Sequence, residues 1–225
     1  MDISRGERVE LSATTLENHA AKIANALRDE YALEPGAVVH LTLPLHWQLS
    51  AWCAGVWTAG CILALNDDPG LDVDLAVVDE DTAVNGRYGA VPTVAVSRHP
   101  FGLPITRELP PDVSDATLDV RSQPDALMFE STDGQAPALR AEGSGLSQSD
   151  VLDAARTLAE GWGLAAGGRL LVPADIAGIP ALLAALAVPL VMEGSIVIVR
   201  SSDTSKDQAV IVAAERVTAI ASPSP

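Results

Sequence analysis

AVVHLTLPLHWQLSAWCAGVWTAGCILAL, residues 37–65, decides the fold, because no charged side chain occurs from Ala37 to Asn66. An uncharged run of that length either crosses a bilayer or folds back on itself inside a protein. Pro44, His46, Gln48, Gly55 and Gly60 interrupt it, which favours the second reading. AVVHLTL is β-branched and apolar and reads as a buried strand; Pro44 ends it. An apolar helix then runs from about His46 to Thr58, and CILAL, from Cys61 to Leu65, supplies the next strand. Strand, helix and strand in that order form the unit from which parallel sheets are built.

The same alternation continues outward. Upstream, Thr14 and Glu17 have the spacing of a capping box, and Leu16, Ala20, Ile23, Leu27 and Tyr31 follow at helical spacing, so one face of that helix is predicted to be buried. Downstream, DLAVVD (74–79) and TVAVS (93–97) are short apolar runs suited to strands covered on both faces. Pro100, Pro104, Pro110, Pro111 and Pro124 predict an irregular connection over 98–124, the one place for a sub-boundary in an otherwise single domain spanning 1–225. Ser147 and Asp150 repeat the cap-and-acid spacing before a helix with Val151, Leu152, Ala155, Leu158, Ala159 and Trp162 on its buried stripe, ending near Gly163. RLLVP is a strand, 178–192 an apolar helical region broken at Pro189, SIVIVR a strand, 205–215 a helix, and VTAIA a last strand. The expected fold class is α/β: a largely parallel sheet flanked by helices in three layers.

Composition narrows the function classes. Asp and Glu outnumber Lys and Arg by 30 to 14, a formal charge of -16 that repels nucleic-acid phosphates and anionic lipid surfaces. Neither nucleic acid nor membrane is an expected partner. Lys22 and Lys206 are the only lysines, so chemistry that needs a mobile ammonium has two candidates. Cys53 and Cys61 sit in apolar sequence without further ligands and are read as small buried hydrophobes. The charged start MDISRGERVELS lacks the apolar core of a signal peptide, which predicts a cytoplasmic protein.

Several short patterns spread along the chain carry a family likeness. They are Ala24-Asn25-Ala26-Leu27, Leu33-Glu34-Pro35-Gly36 before a Val-rich strand, Leu43-Pro44, and Ala59-Gly60-Cys61. Leu146-Ser147-Gln148-Ser149-Asp150-Val151-Leu152, Gly163-Leu164, Arg169 to Pro173, Ile176-Ala177-Gly178, Pro189-Leu190, Gly194-Ser195 and Glu215-Arg216-Val217-Thr218 continue it. In this order they resemble the first part of the AMP-binding superfamily of adenylate-forming enzymes, which includes acyl-CoA synthetases, luciferases and peptide-synthetase adenylation domains. Members bind ATP phosphates on a Thr-Ser-Gly-Ser-Thr-Gly-x-Pro-Lys-Gly loop, where glycines admit backbone donors and lysine adds a cation.

MFESTDGQAPALRAE, residues 128–142, falls where that loop belongs. With Pro137 on the loop's proline, Ala138 takes the lysine position, and Thr132, Gln135 and Leu139 take glycine positions. Glu130 and Asp133 add two carboxylates that oppose a polyphosphate. Ser131, Thr132 and Gly134 are what the resemblance leaves as a cofactor-binding remnant; no catalytic residue and no metal ligand is assigned. Asp175 stands where members carry a histidine near the acyl site. The adenine pocket, the ribose-binding acid and the C-terminal domain with its catalytic lysine have no match here. Neither Lys22 nor Lys206 matches that lysine's context.

Other constellations read as structure. Gly143-Ser144-Gly145-Leu146-Ser147-Gln148 starts like a dinucleotide fingerprint, but Gln148 replaces the third glycine, leaving a glycine turn and helix cap. His19, His40, His46 and His99 form no metal-ligand pair. Trp47, Trp52 and Trp57 recur every five residues, which spreads them around a helix for packing. Asp67, Asp68, Asp72, Asp74, Asp79, Glu80 and Asp81 lack the ligand order of a calcium loop and read as a solvated acidic face. The expectation is a truncated, catalytically inactive homologue of adenylate-forming enzymes acting as a binding or interaction module, with no cofactor and with a homo-oligomer or protein partner. The alternative is a small enzyme or partial synthetase that binds ATP or AMP with magnesium, or acyl-CoA, and is completed by a partner chain.

Overall fold

The computed structural model describes residues 1, 7–65, 72–86, 91–126, 133–141, 144–200 and 204–223. The chain divides into two compact units. One is made of Glu10–Pro44 and Ala51–Gln148, the other of Met1–Val9, Leu45–Ser50 and Ser149–Pro225.

The first unit begins with α1 (Ala13–Asp29), whose cap is Ser12: its hydroxyl accepts the Thr15 amide at 3.1 Å. The expected Thr14–Glu17 box is therefore displaced by one turn-opening serine two residues upstream, an equally good oxygen acceptor with extended backbone. Ala20, Ile23 and Leu27 are buried as their spacing required. β1 (Val38–Thr42), α2 (Trp47–Thr58), β2 (Ile62–Leu65), β3 (Leu75–Asp79) and β4 (Thr93–Val96) follow the sequence-based expectation closely, and a short helix that the sequence did not suggest, α3 (Glu80–Asn85), lies between β3 and β4. β3 and β4 are buried along their whole lengths, as continuous apolar runs demand in a covered parallel sheet.

Two regions differ from expectation. The proline-rich stretch holds β5 (Val113–Asp115) and α4 (Ala116–Ser122), which form between Pro111 and Pro124. Asp115 supplies the missing order: its carboxylate accepts Ile105 N at 2.8 Å and caps α4 through Thr117 N at 2.8 Å. The whole 98–124 stretch lies within this first unit. Further on, β6 (Pro137–Ala141) and β7 (Ser144–Ser147) form an antiparallel pair in a segment read as loop and glycine turn.

The strands make a seven-stranded sheet in the order β5-β4-β3-β1-β2-β6-β7. Every neighbouring pair is parallel except β6 and β7. Val78, Ala83, Ala95 and Val113 pack together, and Ile105 and Leu109 close over them from the connection before β5.

The second unit contains most of α5 (Gln148–Gly161), followed by β8 (Arg169–Val172), α6 (Gly178–Ala185), α7 (Ala187–Val191), β9 (Ser195–Ile198), α8 (Thr204–Ala214) and β10 (Ala219–Ile220). Its three strands are parallel in the order β10-β8-β9. The helical break falls at Leu186, with φ -141°, and not at Pro189. Pro189 is the third residue of α7, where a backbone N–H has no partner inside the helix, so its ring breaks nothing. Gly194 is required: a Cβ there would meet the Gly168 carbonyl oxygen at 2.4 Å. Leu171, Val199 and Ile211 form the core, and Arg8 donates two hydrogen bonds to Glu215, at 2.9 and 3.2 Å. Among the described residues no helix is long and apolar enough to cross a membrane.

Candidate functional site

The segment that would hold phosphate is a turn leading into a buried strand. Ser131 and Thr132 lie outside the described residues; Gly134 sits in an exposed turn between Asp133 and Ala136. The Asp133 carbonyl accepts the Ala136 amide at 2.9 Å, and its side-chain Oδ1 accepts the Gln135 amide at 3.0 Å. An aspartate followed by glycine builds this turn readily, since the carboxylate bonds the backbone two residues on and the glycine adds no strain. The Gln135 and Ala136 amides are thus both engaged by Asp133.

β6 then carries Ala138 and Leu139 inwards, while Pro137 stays exposed. Ala138 is 0% exposed, and its carbonyl accepts Trp57 Nε1 from α2 at 2.9 Å. Leu139 is also buried, paired with Leu63 of β2 on one side and Leu146 of β7 on the other. The β6–β7 register shifts between Pro137 and Leu139, so Ala138 sits at an irregularity of the ladder and is buried there. Gln148 N donates to the Ala136 carbonyl at 3.0 Å, which ties the start of α5 to the end of the turn. Ser144 to Ser147 are therefore a paired strand and do not form the glycine turn of an anion site.

The approach to this segment is held by α1. Asn25, wholly buried, donates from Nδ2 to the Pro124 and Ala126 carbonyls at 2.9 and 3.1 Å, and Lys22 Nζ donates to the Gln123 carbonyl. Gln123 Nε2 donates to Glu30 at 2.9 Å, and Tyr31 donates its hydroxyl to Asp119 at 2.9 Å. One of the two lysines is therefore a strut. Lys206 lies in α8, and Asp175 is exposed beyond β8, in the other unit. Sequence reading noted Ala24-Asn25-Ala26-Leu27 only as a pattern; an asparagine within an apolar helical stripe was the available sign that something polar had to meet it.

Several other titratable groups among the described residues serve structure. Asp74 accepts Val38 N at 2.7 Å, Asp79 caps α3, and Asp81 pairs with both Arg98 and Arg107. Hydrogen bonding from Arg107 first, then from Arg98, holds the Asp81 carboxyl below the usual carboxylate range. Asp67 and Asp68 lie outside the described residues. Burial pushes the Cys53 thiol well up and, with Asp74 nearby, raises Cys61 to about 11, which favours the neutral thiol in both. His99 Nδ1 accepts the Phe101 amide at 3.1 Å, and the His46 ring leans on Trp47. Among the described residues no group of three or more His, Cys, Asp or Glu could hold a metal ion.

No protein-family model matches the chain. A protein of Mycobacterium tuberculosis strain H37Rv, described as a TIGR03089 family protein, is 38% identical over 223 residues, covering 97% of this chain and 88% of its own. The chain belongs to the TIGR03089 family.

Solved structures extend this family's likeness to larger proteins. The Brucella canis acyl-CoA synthetase superposes with TM-score 0.76 at 16% identity, over 97% of this chain and 43% of its own. The N-terminal domain of FACL13 from Mycobacterium tuberculosis gives TM-score 0.72 at 14% identity, over 96% and 56%. ATP-bound MatB from Rhodopseudomonas palustris gives 0.66 at 17%, over 93% and 43%. The TIGR03089 chain thus has the α/β fold found at the N-terminus of acyl-CoA synthetases and spans about half the length of these structures. At such identities the likeness is one of fold.

Proposed function

We propose that the protein is a binding or interaction module built on the N-terminal fold of acyl-CoA synthetases, and that it does not activate carboxylic acids with ATP. The observation that carries this reading is Ala138. It occupies the place of the nucleotide-loop lysine by the sequence resemblance, and it is fully buried with its carbonyl bonded to Trp57. A lysine head at that point would have to leave water, which a charged group does only with a partner. The described residues of the turn do not fit ATP either. Asp133 brings a carboxylate where phosphates would lie, and the Gln135 and Ala136 amides are engaged.

The ligand proposed is a protein, either a second copy of the chain or another partner. Phe101, 74% exposed at a turn closed by Gly102 N on the His99 carbonyl, is the kind of fixed aromatic that contributes strongly at interfaces. The decisive experiment is ATP–pyrophosphate exchange by the purified chain over a panel of fatty, dicarboxylic and amino acids, with calorimetry against ATP, AMP and CoA with and without magnesium. No exchange and no saturable heat are expected. Exchange that depends on the chain, or micromolar binding of any of the three, defeats the proposal and favours a partial synthetase completed by a partner.

A further inference from the structure

We infer that Asp133 is an internal anion that keeps the 133–136 turn closed to phosphate. The inference rests on the reading that this segment holds no nucleotide, and it assigns the cause to one side chain. A backbone site for an anion needs N–H groups that converge and are free. Here Gln135 N–H points at the Asp133 carboxylate, 3.0 Å away, and Ala136 N–H at the Asp133 carbonyl, 2.9 Å away. The first of these bonds is made by a negatively charged oxygen, the same chemistry an incoming phosphate oxygen would present, so the two compete for one donor. The competition is intramolecular and is won by the group already in place.

The surroundings make no correction. Asp133, Gly134 and Gln135 are exposed. The position two residues beyond Ala136 is the buried Ala138, which brings no cation. The nearest basic residue in the strand, Arg140, lies four residues after Ala136 and is exposed. Hydrogen bond and charge act together: the carboxylate withdraws a donor from any anion and repels it.

The two contributions separate by substitution. Asp133→Asn keeps an oxygen that accepts the Gln135 amide and removes the charge; Asp133→Ala removes both. The test is titration of the full chain with inorganic pyrophosphate at constant ionic strength, read from the amide resonances of Gln135 and Ala136. In the wild type these two resonances stay still. In Asp133→Ala the Gln135 resonance shifts saturably, with affinity raised about tenfold or more for one freed charge-competent hydrogen bond, while Ala136 N–H keeps its bond to the carbonyl of residue 133. Asp133→Asn gains much less. Asp133→Gly, which relaxes the turn further, is the second variant should the alanine protein fold poorly.

Saturable movement of Gln135 and Ala136 in the wild type overturns the inference, as does an alanine or glycine variant no better than wild type. Equal gains in the asparagine and alanine variants also overturn it, because repulsion alone would then account for the effect. The module reading is tested apart from this: wild-type ATP–pyrophosphate exchange defeats that reading, whereas a silent Asp133→Ala with a silent wild type removes only the role of Asp133.

Discussion

Replacing Ala138 by lysine puts a cation at the position that the sequence resemblance gives to the phosphate-loop lysine and asks whether the site can receive it. Ala138 has no exposed surface, Leu139 beside it is 1% exposed, and Leu63 across the ladder is fully buried. A lysine stem forced into this packing costs about 1–3 kcal/mol from displaced neighbours. Its ammonium then either loses water or deprotonates, at a further cost of about 2–3 kcal/mol on the scale seen for buried polar groups in proteins. If the strand shifts enough to lose the Trp57 bond, about 1 kcal/mol is added. The expected loss is about 3–6 kcal/mol, a large part of the roughly 5–15 kcal/mol of a folded domain. Urea unfolding followed by tryptophan fluorescence measures it. Trp57 reports directly on the altered strand, because its indole is bonded to that residue's carbonyl. A variant within about 1 kcal/mol of wild type, with an unchanged denaturant slope, would show that the lysine finds water and that the buried-position argument is wrong. Gain of ATP binding in the same variant would carry that refutation through to the proposed function.

Other positions give independent checks. Gly55→Ala places a Cβ 2.4 Å from Ile23 Cγ2, between α1 and α2, and is expected to lose about 1–3 kcal/mol in urea unfolding; Ile23→Ala in the same chain should recover part of it, a non-additivity that separates contact from propensity. Asn25→Leu leaves the Pro124 and Ala126 carbonyls without their donor, so amide exchange should accelerate over 117–123 and stability should fall by about 2–4 kcal/mol; Asn25→Asp, which loses the amide N–H donors but keeps the shape, should not rescue it. His19 is held below its ordinary pKa by burial first and by Lys22 second, so the unfolded chain takes up the proton before the folded one. Stability is therefore full above the ordinary histidine value of about 6.5 and falls as pH drops from there through the folded value; His19→Gln should flatten that part of the pH profile of the urea midpoint.

The fold was legible where apolar runs are uniform. Residues 37–65 gave a strand, helix and strand because no charge interrupts them and one proline does, and β3 and β4 stood out as uniform apolar runs between polar residues. Order made by single polar groups was not legible. Nothing in five prolines indicates that Asp115 will hold Ile105 with one oxygen and cap α4 with the other. Pro189 looked like a helix breaker because position within a helix is invisible until the helix has a start. β6 was missed because PALRA opens with proline and contains an arginine, weak strand sequence that the sheet overrides by pairing it with β2 and β7. Asp133 and Gly134 are a turn signature, yet their neighbours drew attention as remnants of a phosphate loop, and the turn was overlooked.

On the proposed reading, more than a lysine separates this segment from a phosphate loop. Removal of a lysine alone would leave a weakened phosphate site, with its amides still free. In this chain the lysine position is occupied by a residue whose side chain is core and whose carbonyl is bonded to an indole, and the adjoining glycine position is a buried leucine. Each of these changes makes the others harder to reverse. A lysine at 138 has no water to reach, a glycine at 139 leaves a cavity between Leu63 and Leu146, and neither substitution frees the amides that Asp133 engages. On the proposed reading, the residues that stabilise the strand are the same ones that would exclude a nucleotide. Restoring the loop sequence one residue at a time should therefore lower stability at every step before any phosphate binding appears, with Asp133 the exception, because its side chain lies in water and supports only the turn.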